Sequence, residues 1–230
     1  MTNKLATVSF RDEVTIITLD DGKANVFSPA MIKEVHNCLD KVPTESGSLI
    51  IAGRDGMFSG GFDLKIISSG DMKAIQEMSL GGFRLLSRIL SFPRPVIAAC
   101  SGHGIALGTF LLCCCDYRLG AKGNYMVGAN EMRTNMVIPT PILELIRFRV
   151  SQTHKYRAIL GAEMYSIEAA VDAGLIDEAI DEKNLMEAAM LKAKDLATMG
   201  HPSYTLTKEL FISELVTKIN NALDELEKNV

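Results

Sequence analysis

The chain has 230 residues, of which 47% are hydrophobic, and this apolar content excludes a disordered protein. Its 24 basic and 28 acidic residues give a formal net charge of −4, which argues against a nucleic-acid-binding protein, because such proteins normally carry a basic face. No apolar run is long enough to span a membrane, and the polar start of the chain is not typical of a signal peptide. We therefore expect a cytoplasmic protein with neither nucleic acid nor membrane as a partner.

The first part of the chain predicts strands that alternate with helices. Alternating or continuous β-rich runs predict strands over Leu5–Phe10, Val14–Leu19, Ser48–Ala52 and Pro95–Cys100, the first two joined as a hairpin. Ser28 followed by Pro29 is typical of a helix start. A second helix is predicted over much of Met72–Leu90. This order of elements predicts an α/β core.

The later part of the chain predicts mainly helices. The apolar, sulfur-rich run Cys113–Leu119 fits either a strand or the end of a helix. Beyond Pro141 the pattern becomes almost wholly helical, with helices predicted over Ser166–Ala173, Leu185–Thr198 and Ser203–Leu226. We therefore expect an α/β core over residues 1–182 and a helical C-terminal region over residues 183–230.

Cysteine and histidine usage indicates no metal site. The five cysteines are an odd number, which suits a reducing compartment. Cys113, Cys114 and Cys115 are consecutive, so their side chains diverge on either a strand or a helix and cannot close one tetrahedral site. The four histidines are scattered along the chain.

The first candidate site is the segment Phe58–Lys65, which contains a glycine pair between a strand and a predicted helix. Glycines let a ligand approach the backbone, and the N–H groups at a helix start are unpaired. Such a turn can hold a developing oxyanion or a phosphate. The alternative is an ordinary loop in which Asp63 caps the next helix.

The second candidate is Ser101–Thr109, a glycine-containing turn after the predicted strand that ends at Cys100. Gly102 and Gly104 fit the dinucleotide-binding fingerprint, but Leu107 occupies the position of its third glycine. No acidic residue follows at the end of a second strand, where that fingerprint requires one. A nicotinamide-binding site is therefore disfavoured.

The third candidate is Glu131, at the end of Val127–Glu131 in a stretch with little other charge. A carboxylate in an apolar pocket has a raised pKa and can carry a proton near neutral pH. The alternative is a solvated glutamate at a helix start.

Together these segments resemble the crotonase superfamily, the enoyl-CoA hydratases and isomerases. FSGGFDLK, from Phe58, is similar to the first oxyanion-loop motif of that family, and PVIAACSGHGIALGTFLLCCCDYRLG, from Pro95, is similar to the stretch with its second donor. The resemblance implies a spiral of ββα units with a helical C-terminal trimerisation region. It also implies a homotrimer or dimer of trimers and an acyl-CoA substrate, with coenzyme A as part of that substrate and no separate cofactor.

The resemblance also implies roles for individual residues. The backbone N–H groups of Phe62 and Leu107 match the oxyanion donors, and Glu131 matches the second of two hydratase glutamates. Phe110 stands where the first hydratase glutamate belongs, so the pattern is more similar to the Δ3,Δ2-enoyl-CoA isomerases, which move a double bond with one base. Hydration, thioester hydrolysis, another specialised reaction and a non-catalytic CoA-ester-binding protein remain as alternatives.

The resemblance further suggests where the CoA ester binds. Lys23 and Ala24 match a strand end that meets the nucleotide, and Lys65 is a candidate phosphate partner. The implied binding residues are Lys23, Ala24, Ser59, Gly60, Gly61, Asp63, Leu64 and Lys65.

Overall fold

The structure is a computed structural model that describes residues 4–228. Its strands are β1 (Ala6–Arg11), β2 (Val14–Leu19), β3 (Ser48–Ala52), β4 (Gly56–Ser59), β5 (Val96–Cys100), β6 (Gly102–Ile105), β7 (Tyr117–Lys122), β8 (Met126–Gly128), β9 (Tyr165–Ser166) and β10 (Glu178–Asp181). Its α-helices are α1 (Pro29–Leu39), α2 (Leu64–Ser68), α3 (Met72–Leu90), α4 (Leu107–Cys114), α5 (Thr140–Arg149), α6 (Lys155–Ile159), α7 (Ile167–Ala173), α8 (Leu185–Ala197) and α9 (Ser203–Lys228). Two 3₁₀ turns cover Glu131–Thr134 and Glu182–Asn184.

The strands form two sheets that the chain visits alternately. The large sheet has the order β1-β2-β3-β5-β7-β10, and the small sheet has the order β4-β6-β8-β9. Three times in succession the chain makes a strand of the large sheet, then a strand of the small sheet, then a helical segment. The strands that follow one another in these turns are parallel within each sheet. The predicted spiral of ββα units is therefore confirmed.

The early strands and helices agree with the sequence predictions, and one ambiguity is resolved. The hairpin of β1 and β2 is antiparallel, as expected. Ser28 accepts a hydrogen bond from the N–H of Met31 and so caps α1. The ambiguous segment Cys113–Leu119 is divided, because α4 ends at Cys114 and β7 begins at Tyr117.

The expectation of an almost wholly helical chain beyond Pro141 was wrong in two places. β9 pairs antiparallel with β8, and β10 extends the large sheet by pairing in parallel with β7. Both strands are too short to show a pattern in the sequence. The chain is directed into β10 by Asp177, whose carboxylate accepts hydrogen bonds from the guanidinium of Arg118 at 2.7 and 2.8 Å.

The last two long helices pack on the rest of the structure. Helix α8 places Leu185, Ala189 and Ala193 against the large sheet. Helix α9 packs on α3 and α5 and contributes Ile212 and Ile219 to the main core. The division of the chain after residue 182 stays a prediction.

Helix α9 is anchored by an ion pair near its start. Lys208 lies within α9, its side chain is only 7% exposed, and its Nζ is 2.6 Å from Oδ2 of Asp116. The same carboxylate accepts hydrogen bonds from the N–H of Val96 and the hydroxyl of Tyr204. The pair therefore links α9 to the starts of two central strands. In residues 4–228, no helix combines the length and the apolar character needed to cross a bilayer.

We expect Lys208→Met to lower the free energy of unfolding by about 3 kcal/mol, because it leaves the carboxylate of Asp116 without its cationic partner in a largely buried position. Urea denaturation measures the change. The matched control is Lys218→Met in the same helix. Lys218 is 60% exposed and lies 3.8 Å from Glu144, so its loss should cost less than about 1 kcal/mol. Equal losses at the two positions would contradict the anchoring role of Lys208.

Candidate active site

A cavity of about 500 Å³ lies between α3, the start of α4 and the segment that leads from β8 into α5. Its wall is mainly apolar and includes one residue from the end of α9, Leu226. The cavity is lined by Gly60, Phe62, Leu64, Ile67, Ile75, Gln76, Ser79, Leu80, Phe83, Ala106, Phe110, Asn130, Glu131, Thr134, Met136, Val137, Ile138, Pro139, Ile142 and Leu226. All three segments singled out in the sequence therefore reach one cavity.

The first glycine loop is held in place by hydrogen bonds behind it. The buried hydroxyl of Ser59 donates to the carbonyl of Asn25 at 2.8 Å and accepts from the N–H of Gly61 at 3.1 Å. The N–H of Gly60 donates to the carbonyl of Ala24 at 2.7 Å. These bonds leave Gly61 at a φ of +93°, a conformation that favours glycine.

Phe62 combines a free backbone N–H with an inward-facing ring. Among the hydrogen bonds of residues 4–228, none uses this N–H as a donor. The ring packs edge-to-face on Phe83, with centroids 5.7 Å apart. It also rests on Gly82 of α3, where a Cβ atom would lie 2.5 Å from a ring carbon. The packing of the ring on α3 therefore fixes the backbone that carries the free N–H.

The second glycine-containing turn provides another free N–H group. Ala106 has a φ of +51° and a ψ of −119°, which is a strained conformation for a residue with a side chain. This turn makes Leu107 the first residue of α4, where the backbone N–H has no helical partner. The hydrogen bonds within the described part of the chain give the N–H of Leu107 no acceptor.

The two loops are in contact. A methyl group placed on Gly61 would lie 2.9 Å from Cβ of Ala106 and 3.4 Å from the backbone N of Leu107. The backbone N–H groups of Phe62 and Leu107 therefore belong to two loops that touch each other. Two N–H groups that point to one oxygen atom stabilise negative charge on it.

The other glycines of the second turn have a packing role. A Cβ on Gly102 would lie 1.9 Å from the backbone of Gly56, and one on Gly108 would lie 2.5 Å from the carbonyl oxygen of Ser59. Both glycines thus allow the second turn to approach β4. This close approach explains the glycine pattern without a bound dinucleotide.

Glu131 is buried at the start of the 3₁₀ turn after β8. Its side chain is 8% exposed, and its Oε2 atom has no hydrogen-bond partner among the described residues. Burial raises the pKa of this carboxyl group above its ordinary value of 4.5. The prediction of a carboxylate in an apolar environment is confirmed, and the alternative of a solvated glutamate was wrong.

Glu131 is the one ionisable side chain among the described residues that line the cavity. Phe110 of α4 shares the cavity wall with it and is buried. A desolvated carboxylate with a free oxygen can accept a proton, and the two free N–H groups can stabilise the charge that this transfer creates. The site is therefore suited to proton abstraction beside a carbonyl group.

The remaining predicted binding residues lie around the first loop. Lys23 and Lys65 are exposed, and Ala24 is half-buried beside Gly60. Asp63 accepts a hydrogen bond from the N–H of Lys65 and caps α2, as the alternative interpretation of this segment predicted. Leu64 is exposed at the mouth of the cavity.

Several lining residues were not predicted from the sequence. Gln76 and Ser79 face the cavity from α3, and Asn130 and Thr134 flank Glu131. The helical spacing of Ile75, Ser79 and Leu80 and the glycine at position 82 were available signals for the contribution of α3. No signal indicated Leu226, because its contact with the cavity depends on how α9 packs.

Comparisons with known proteins agree with this geometry. Residues 9–229 match the protein family described as enoyl-CoA hydratase/isomerase. A relative from Bacillus subtilis named a probable enoyl-CoA hydratase is 29% identical over 216 residues, which cover 91% of this chain and 83% of that protein.

Solved structures are similar over almost the whole chain. A crystal structure of an enoyl-CoA hydratase/isomerase family protein from Pseudomonas syringae is 32% identical, with a TM-score of 0.93 and 96% of each chain covered. The apo structure of an enoyl-CoA isomerase from Mycobacterium tuberculosis is 33% identical, with a TM-score of 0.91 and 99% of each chain covered. Both reaction names therefore occur among proteins similar to this chain.

We expect Glu131→Gln to raise the free energy of unfolding near neutral pH. Burial disfavours the charged form of the wild-type carboxyl group, which is ionised in the unfolded chain, whereas glutamine is neutral in both states. Each pH unit by which burial raises the pKa corresponds to about 1.4 kcal/mol in the free energy of unfolding. As the pH falls through the raised pKa, the wild-type carboxyl group is protonated, so the advantage of the variant should shrink and vanish below the pKa of the unfolded chain.

Urea denaturation of both proteins over a range of pH measures this difference. Glu214→Gln, at an exposed position of α9, is the matched control and should show no such pH-dependent gain. A Glu131→Gln variant that is less stable than wild type at neutral pH would contradict the desolvation of Glu131.

Proposed function

The chain belongs to the enoyl-CoA hydratase/isomerase family, and we propose that it is a Δ3,Δ2-enoyl-CoA isomerase. This assignment rests on the observation that, within residues 4–228, the cavity wall contains a single ionisable group. Glu131 is that group, and the apolar ring of Phe110 shares the wall with it. One carboxylate without a second acid is suited to moving a proton within a substrate.

The reaction needs one base and one site for negative charge. The thioester carbonyl oxygen accepts hydrogen bonds from the N–H groups of Phe62 and Leu107. Glu131 takes a proton from C2, and the electron pair of that C–H bond is delocalised over the thioester and the C3–C4 double bond as a dienolate. Glu131 then returns the proton to C4, which leaves the double bond between C2 and C3. Each oxyanion donor contributes a factor on the order of 10²–10³ in rate.

Hydration is the second candidate reaction, and the probable hydratase from Bacillus subtilis is the observation that favours it. Adding water to a double bond requires a group that holds and activates that water. The side chain of Phe110 has no polar atom that could do so, and it lines the same cavity as Glu131. This apolar residue supports isomerisation over hydration, and it also helps to exclude water from the dienolate.

The substrate is an acyl-CoA thioester, and coenzyme A enters only as part of it. The apolar wall of α3 and α5, with Phe83 and Ile142, suits an acyl chain. The CoA portion extends past Gly60 towards Lys23, Ala24 and Lys65, where the two exposed ammonium groups can meet its phosphates.

A homotrimer or a dimer of trimers is part of the same proposal. Helix α9 exposes Leu210 and Phe211, and the ring of Phe211 stacks edge-to-face on Phe148 with centroids 5.6 Å apart. Exposed apolar surfaces of this kind commonly mark protein interfaces. This surface supports assembly through the C-terminal region.

The direct test is to incubate the protein separately with a 3-enoyl-CoA and a 2-enoyl-CoA and to separate the products by chromatography. We expect 3-enoyl-CoA to be converted to 2-enoyl-CoA, and 2-enoyl-CoA to give little 3-hydroxyacyl-CoA. Glu131→Gln should lower isomerisation by about 10²–10⁴-fold, because the base is lost, while thioester binding persists. Glu214→Gln serves again as the control, and brisk hydration by the wild-type protein would assign the function to the second candidate.

Gly61→Ala tests the contact between the two loops. The added methyl group would lie 2.9 Å from Cβ of Ala106, so the loops must separate and the two N–H groups must lose their alignment. We expect kcat for isomerisation to fall by about 10²-fold, comparable to the loss of one oxyanion donor.

Gly70→Ala is the matched control for Gly61→Ala. Gly70 also has a positive φ, of +73°, but no described atom lies within 4 Å of the added methyl group. Both variants carry the cost of a left-handed alanine, about 1 kcal/mol, and only Gly61→Ala should lose activity. Equal kinetics in the two variants would remove the first loop from the oxyanion site.

A further inference from the structure

Thr109 is a buried polar residue to which the proposed reaction assigns no role. It lies in α4, two residues after Leu107 and directly before Phe110, and it is 2% exposed. Its hydroxyl group donates to the carbonyl oxygen of Gly104 at 2.6 Å and accepts from the N–H of Gly128 at 2.8 Å. Both bonds are buried and reach outside the helix.

The two partners of Thr109 belong to different parts of the site. Gly104 lies in β6, which leads into the strained turn at Ala106 and the free N–H of Leu107. Gly128 ends β8, three residues before Glu131. One hydroxyl group therefore connects the strand that precedes Leu107 with the strand that precedes Glu131.

A backbone bond completes this connection. The N–H of Ala106 donates to the carbonyl of Gly128 at 3.0 Å, so Gly128 is bound on one side by Ala106 and on the other by Thr109. Since β6 and β8 are also paired in parallel in the small sheet, these bonds fix the ends of two neighbouring strands just before the segments that lead to Leu107 and Glu131. A buried N–H or carbonyl that loses its partner carries a large desolvation penalty, so the chain should rearrange if the hydroxyl is removed.

We propose that Thr109 is a positioning residue that sets the distance between the oxyanion donors and Glu131 through its hydroxyl group. This role rests on the proposed enolate chemistry. A shift of about 1 Å between a catalytic group and the reacting atom costs on the order of 10²-fold in rate. Because Thr109 does not line the cavity, its loss should lower the rate of proton transfer and leave the affinity for the thioester nearly unchanged.

The test compares four side chains at this position in the full-length protein. Thr109→Val keeps the size and loses the hydroxyl, Thr109→Ser keeps the hydroxyl and loses the methyl group, and Thr109→Ala loses both. Thr15→Val is the matched control, because Thr15 is also buried but lies in β2 of the large sheet. The loss of the hydroxyl is thereby separated from the loss of the methyl group and from the general effect of a buried Thr→Val change.

The main measurement is the exchange of the C2 protons of a saturated acyl-CoA in deuterated water, followed by NMR. Glu131 removes a C2 proton, exchanges it with solvent and returns a deuteron, so the measurement needs only the base and the oxyanion donors. Isomerisation of a 3-enoyl-CoA, thioester affinity and the folded fraction are measured in parallel. The rates are corrected for the folded fraction.

We expect Thr109→Val and Thr109→Ala to exchange at least about tenfold more slowly than wild type at unchanged thioester affinity. Thr109→Ser should stay within about threefold of wild type, and Thr15→Val should match wild type. Comparable losses in Thr109→Ser and Thr109→Ala, or a wild-type exchange rate in Thr109→Val, would overturn the role of the hydroxyl group. If Thr109→Val does not fold, the comparison of serine with alanine decides in the same way.

The two proposals fail in different ways. A wild-type protein that exchanges the C2 protons but does not isomerise a 3-enoyl-CoA would contradict the isomerase assignment and leave the comparison at Thr109 valid. A wild-type protein that neither exchanges these protons nor isomerises a 3-enoyl-CoA would overturn the enolate chemistry and the role of Thr109 together.

Discussion

The contact between Gly61 and Ala106 is the constraint on which the site depends. Two separate loops come so close that no side chain fits at Gly61, and the backbone at Ala106 is strained to make the approach possible. Strain of this kind persists only where the surrounding structure imposes it. Here it is imposed by the hydrogen bonds of Ser59 behind one loop and by the bond from Ala106 to Gly128 behind the other. As a result, two loops whose N–H groups at Phe62 and Leu107 have no acceptor within residues 4–228 meet beside an apolar cavity.

The same cavity holds Glu131 in a state that opposes folding, because its carboxyl group is desolvated. Its Oε2 atom is buried and has no hydrogen-bond partner within residues 4–228, and its raised pKa reflects the cost of keeping the charge there. A hydrogen-bond donor to that oxygen would stabilise the protein but would also make the oxygen a poorer proton acceptor. Stability must therefore come from elsewhere, and the buried pair of Lys208 and Asp116 is one place where the fold is held together away from the reacting atoms.

The ββα spiral explains how these opposed requirements are met in one chain. Each turn adds one strand to the large sheet and one to the small sheet, and the site is formed where the small-sheet strands end. The hydrophobic core between the large sheet and α8 shares no described residue with the cavity wall. Helix α9 places Leu226 in the cavity wall, so the position of that helix also affects the shape of the cavity.

The sequence by itself determined most of the local elements and identified the residues whose side chains or backbone could take part in chemistry. The glycine pair at 60 and 61, the turn before Leu107, the carboxylate at Glu131 and the apolar Phe110 were all visible, because each depends on its immediate neighbours or on a motif of fixed spacing. The sequence could not decide whether Glu131 is solvated, how Cys113–Leu119 divides between helix and strand, or that β10 joins the large sheet. Those outcomes, like the contacts of Thr109 and Leu226, depend on residues far apart in the chain, and only tertiary packing brings such residues together.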